Sequence, residues 1–166
     1  MKKTAPRSAQ TILSSEFVFS YNDWAVDSVS GVKETFGSTV GGSVDPTEPG
    51  LVAATGVVFD CLPMPAGAVV VGGAVTIETA FAGIGAAATL SLGIAGAPGA
   101  YIAGIDLDAA VAGTRVAIPL AASLVSNGGQ NVRLTTAGLV ATATAGKVRI
   151  RIDYTIDGRG TDSTGN

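Results

Sequence analysis

The side chains with the most chemical reach in this chain are a few carboxylates and one thiol. Asp106 and Asp108 form a D-x-D pair, a spacing that can offer two oxygens to Ca²⁺. A calcium cage needs about six to eight oxygen ligands, and the neighbours here are Ile105, Leu107 and Ala109, so no metal is expected. Asp153, Asp157 and Asp162 follow near the C-terminal end. Paired carboxylates that cleave glycosides stand about 5 to 9.5 Å apart in a cleft, and sugar-stacking platforms are scarce in a chain that is 5 % aromatic. With no histidine and with Cys61 as the single cysteine, the chain lacks an internal disulfide framework, a Cys/His zinc site, and a Ser-His-Asp or Cys-His set. The glycine-rich pieces Gly67 to Gly73 and Gly93 to Gly96 have no Walker lysine and read as turns. Cys61, beside Leu62 and before Pro63, reads as a small buried hydrophobe. The expectation is a protein without catalysis and without a cofactor.

The elements that would position these residues are strands. A 166-residue chain that is 47 % hydrophobic and 14 % charged is too apolar for disorder, and its low aromatic content leaves Val, Ile, Leu and Ala to build the core. Val148, Ile150, Ile152, Tyr154 and Ile156 alternate with Lys147, Arg149, Arg151, Asp153 and Thr155, the period-two pattern of a strand with one wet face. Further strands are expected at Val57–Leu62, Val69–Phe81, Ala88–Ile94, Arg115–Pro119, Val132–Thr136 and Leu139–Thr144, separated by Gly- and Pro-rich turns. Tyr101–Ala112 is expected to hold a short helix or a turn. Strands at this spacing predict an all-β, jelly-roll-like antiparallel β-sandwich with an extended N-terminal arm. The many Ala and Gly residues on strands favour close packing, and we expect a homo-oligomer, a dimer or a trimer. The row Lys147, Arg149, Arg151 is either a solvated face or a partner for acidic residues on a neighbouring strand or subunit.

The chain divides by composition into residues 1–50 (arm, first strand and extended loop), a β body at 51–157, and a tail at 158–166. The start carries Lys2, Lys3 and Arg7 without an acidic residue but no apolar stretch of a secretory signal. Three charges on an otherwise acidic chain, net −3, are too few for nucleic acid. They suit an acidic protein partner. Phe17, Phe19 and Tyr21 alternate along a first strand, and Trp24 follows as either an interface anchor or a core residue. From Asp27 to Gly50 a Ser/Thr/Gly/Pro-rich loop or extended edge segment is expected. Phe81 to Ile105 lacks charge over a length that could span a bilayer, but Pro98 and the alternation of Thr89-Leu90-Ser91-Leu92 favour strands. No membrane is expected.

Three passages carry a family resemblance. The run Leu62 to Phe81 (LPMPAGAVVVGGAVTIETAF), the strand Ala88 to Gly93 (ATLSLG) with the later Tyr101 to Leu107 (YIAGIDL), and the final Ala145 to Tyr154 (AGKVRIRIDY) resemble the head decoration, or cement, proteins of tailed bacteriophages. The resemblance spans roughly Val57 to Tyr154 and rests on strand and turn motifs. It implies a β-sandwich bound to the major capsid protein on the outer surface of the icosahedral head, made in the host cytoplasm and bracing contacts between capsomers without turnover. On that reading Lys2, Lys3, Arg7, Phe17, Phe19 and Trp24 are the candidate capsid or partner contacts. A head-fibre or tail-associated module for host-surface attachment is the alternative.

Overall fold

The computed structural model describes residues 12–29, 31, 33–38, 57–119 and 130–156. Ten strands follow one another: β1 (Leu13–Ser20), β2 (Trp24–Val26), β3 (Lys33–Thr35), β4 (Val58–Leu62), β5 (Ala68–Ala82), β6 (Thr89–Ile94), β7 (Ala97–Asp106), β8 (Arg115–Ala117), β9 (Val132–Ala137) and β10 (Ala145–Ile156). No helix occurs among the described residues, and so none is long and apolar enough to cross a membrane. One four-stranded sheet runs β1-β10-β5-β8, a second runs β4-β9-β6-β7, and β2 and β3 form a separate two-stranded ribbon. All the pairings are antiparallel.

The pairings nest. With the ribbon set aside as an insertion, β1 pairs β10, β4 pairs β9, β5 pairs β8 and β6 pairs β7. First meets last at each level, as in a long hairpin rolled into two sheets, which is the jelly roll. The expected fold class is therefore the observed one. β1 belongs to the sheet of the body, so the sandwich takes its first strand from the segment that composition set apart.

The core forms where the inner faces meet. Val148, Ile150 and Ile152 of β10 are fully buried while Arg149 and Arg151 are exposed, as the alternation required. They pack with Val75 and Ile77 of β5, Leu90 and Leu92 of β6, and Val132 and Leu134 of β9 in one cluster. Gly146 opens β10 at φ +144°, where a Cβ would come within 2.4 Å of the Phe81 ring, so only glycine lets this strand cross that side chain.

Two expectations need correction. Of the helix or turn expected over Tyr101–Ala112, the turn is present at residues 107–109 and the helix is not: β7 continues to Asp106. A bulge between the pairs Leu90/Ile105 and Leu92/Ile102, with Gly104 at φ +61°, breaks the alternation of β7. Tyr101, Ile102 and Ile105 are all buried as a result, and their spacing of three and four mimics a helical face. Leu139–Thr144 is not a strand either. Its amides reach separate segments, Val140 to the Ile84 carbonyl, Ala143 to Gly37 and Thr144 to Ala82, so the segment is an irregular bridge pinned by buried Leu139 and Ala143.

The edge of the sandwich formed by β1 and β4 is closed by phenylalanines. Phe36, just after β3, is 2 % exposed. Its ring centroid lies 4.1 Å from Phe19, 5.9 Å from Phe17 and 4.3 Å from Phe59 of β4. One side chain thus joins the ribbon to both sheets. Truncating a buried phenylalanine costs about 3–5 kcal/mol. Phe36→Ala should lose stability in that range in chemical denaturation, whereas Val140→Ala, at an exposed site, should stay close to the parent.

Candidate functional site

The chemistry-bearing residues singled out in the sequence do not converge. Asp106 Oδ1 accepts the amides of Asp108 and Ala109, each at 3.0 Å, so the D-x-D pair shapes the turn that ends β7. Asp153 lies on β10, and Asp157 and Asp162 fall outside the described residues. Among the described residues no three Asp, Glu or Cys side chains gather as a metal cage. Cys61 is buried and its thiol donates to the Val132 carbonyl at 3.2 Å. Burial, offset in part by backbone hydrogen bonds, pushes that thiol up to about 12, so it stays protonated and unreactive as a nucleophile. Tyr101 is fully buried, its hydroxyl has no partner among the described residues, and burial raises its phenol above the ordinary value.

The candidate contact residues separate in the same way. Lys2, Lys3 and Arg7 lie outside the described residues. Phe19 is buried and Phe17 half-buried, both packed on Phe36. Trp24 is 60 % exposed, so of the two readings of this residue the core one is corrected.

Trp24 is held out by a braced ribbon. β2 and β3 pair Trp24 with Thr35, Ala25 with Glu34 and Val26 with Lys33. Ala25 packs toward the core while Trp24 and Val26 face solvent. The hairpin is anchored by Asp27, which is 2 % exposed and accepts the Val29 amide at 2.7 Å and the Val58 amide at 3.3 Å. Ser28 donates its amide to the Val58 carbonyl, so the free edge of β4 is covered. Lys33 lays its ammonium 3.0 Å from the Trp24 ring centroid, a cation–π contact that fixes the indole's orientation. Lys33, Val26 and Phe36 escaped the sequence reading because two three-residue strands are too short to show a period. The Trp24-Ala25-Val26 alternation before a glycine-bearing turn was the one signal present.

A second polar surface covers the outer face of the β1-β10-β5-β8 sheet. Arg149 pairs with Glu78 of β5 at 2.6 Å and with Glu16 of β1, while Lys147 reaches Glu78 at 3.0 Å. The cationic row of β10 thus meets acids on its own neighbouring strands. Asp153 accepts from Ser14 Oγ at 2.5 Å and from Arg151 Nε at 2.8 Å. Partial burial works against its charge, but the Ser14 and Arg151 hydrogen bonds and the charges of Arg151 and Arg115 prevail and hold the carboxyl below its ordinary value. These pairs are exposed, and such pairs contribute little stability, about 0–1 kcal/mol each. Arrayed across three strands, they specify register.

No family model matches this chain, and no curated protein matches it. The chain is similar to two solved structures. A chain of the cyanophage Pam1 capsid asymmetric unit is 17 % identical with a TM-score of 0.60, the alignment covering 94 % of each chain. A chain of the capsid of Ralstonia phage GP4 is 14 % identical with a TM-score of 0.48, covering 94 % of this chain and 91 % of that one.

A carboxylate held below its ordinary value stabilises the fold fully above the unfolded value, about 3.9 for Asp. That stabilisation is lost as pH falls through the folded value. The stability gap between the parent and Asp153→Asn, measured by urea denaturation, should therefore be constant from pH 7 to 5 and close as the pH is taken below 4.

Proposed function

We propose that this chain is a decoration protein of a tailed-phage head, bound to the major capsid protein on the outer surface of the shell and stabilising contacts between capsomers. The observation that carries the reading is the full-length likeness, 94 % of both chains, to a chain of the Pam1 capsid asymmetric unit. The surface chemistry supports it. The described residues place their carboxylates in turns and ion pairs and their thiol in the core, an arrangement suited to a protein that binds and does not turn over. The basic segment bearing Lys2, Lys3 and Arg7 is the capsid contact, where its charge suits an acidic surface and makes the association sensitive to salt.

A decoration protein works by repetition. Each contact must offset the cost of immobilising a subunit, but copies that each engage more than one shell subunit turn modest affinities into avidity. Quantitative mass spectrometry of purified virions should give a copy number equal to that of the major capsid protein or a simple fraction of it. A handful of copies per particle would instead indicate a fibre or portal-vertex component, and absence from the particle would end the virion reading. Deleting residues 1–10 should leave the melting temperature of the sandwich in place and reduce shell binding, with the loss largest at low salt. Equal binding by the truncated and full chains at every salt concentration would remove the basic segment from the contact.

A further inference from the structure

The two edges of the sandwich carry complementary surfaces. At the β1/β4 edge, the ribbon presents Trp24 and Val26, 60 % and 56 % exposed, with the Lys33 ammonium over the indole. At the opposite edge, an open cleft of about 370 Å³ lies between β7 and β8. Its apolar walls include Ile102, Ile105, Ala109, Ala110 and Val116, and its charged residue is Asp106. The Asp106 carboxylate uses Oδ1 for the turn amides, and its Oδ2 has no partner among the described residues. One surface is an aromatic knob with a cation; the other is a small-walled apolar hollow with an anion.

The volume lies within the range of pockets that enclose a ring-bearing group, about 300–1,000 Å³. Tryptophan is the residue type most enriched at the energetic centre of interfaces, where it fills a desolvated pocket. The Trp24 of one chain cannot reach that chain's own cleft. Strands spaced about 4.8 Å apart put the two edges of a four-stranded sheet on the order of 14 Å from each other, with the packed core in between. The geometry points to a contact between copies of this chain, in which Trp24 and Val26 seat in the β7/β8 cleft of the next copy and Lys33 pairs with Asp106 of the partner subunit. Because knob and cleft are different surfaces, the contact is heterologous, and it closes into a ring or extends as a filament according to the rotation between copies. It requires no capsid, so it stands apart from the decoration reading.

Sedimentation of the full chain tests it, with two exposed-site variants. Trp24→Ala removes the knob and leaves the cleft, while Ala109→Arg fills the cleft and leaves the knob. The parent should sediment as an oligomer. Each variant alone should sediment as a folded monomer with the melting temperature of the parent diluted to monomer, and an equimolar mixture should give a 1:1 dimer, since one knob and one cleft remain usable. The indole offers a readout that needs no variant: Trp24 is the only tryptophan, so its emission should shift to the red as the parent is diluted into monomers. Parental mass retained by either variant, a mixture that stays monomeric, an emission that does not move on dissociation, or a parent monomeric at hundreds of micromolar would each overturn the contact. None of those results would alter the copy number in virions, which tests the decoration reading separately.

Discussion

The Phe36 ring is the constraint on which the arrangement of surfaces depends. A jelly roll rolled from nested hairpins leaves its two sheets joined by turns and by whatever fills the space between them. In a chain with five phenylalanines, four meet at one edge: Phe17 and Phe19 from β1, Phe59 from β4 and Phe36 between them. Aromatic rings bury about 150–250 Å² each, so this cluster concentrates much of the large-residue packing of a core otherwise made of Val, Ile and Leu. Because Phe36 comes directly after β3, burying it draws the ribbon against the sandwich. The outward pose of Trp24 follows from that burial and from the Asp27 anchor to Val58.

The polar ladder on the outer face of β10 has a different role. Val148, Ile150 and Ile152 would remain apolar and inward in any register shifted by two residues, so the core alone fixes which face of β10 is buried but not its longitudinal position. Glu16 and Glu78 on the flanking strands add a lateral constraint, because Arg149 pairs with both in the observed register. Weak pairs in water are adequate for that task, since a slip loses several of them at once.

Legibility in the sequence tracked this division of labour. The long final strand was plain because its burial is one-sided and its alternation unbroken over ten residues. β4, β5, β6, β8 and β9 were found within a residue or two of their ends because Gly- and Pro-rich turns bound their apolar runs. β7 was missed because the bulge at Gly104 shifts the phase of burial halfway along it, and a phase shift in a strand imitates a helical spacing. Leu139–Thr144 failed in the opposite sense: its composition suits a strand, yet the amides of Val140, Ala143 and Thr144 find acceptors on separate segments and no ladder forms. For the surface, Trp24 was visible as a residue but not as a site. Its exposure depends on Phe36 and Asp27, whose contacts with Phe59 and Val58 bridge more than twenty positions of sequence.

The treatment of the sheet edges bears on how this protein meets others. The free edge of β4 is occupied by Asp27 and Ser28, which take both the amide and the carbonyl of Val58. β7 carries Pro98 and the bulge at Gly104, and β8 is three residues long. Proline, bulges and short edge strands all oppose the addition of a further strand. The groups displayed at these edges are unlike: an indole with an ammonium beside β4, small apolar walls with a carboxylate between β7 and β8. Strand addition is thus disfavoured at these edges, while side chains of unlike chemistry are displayed on opposite sides of the sandwich.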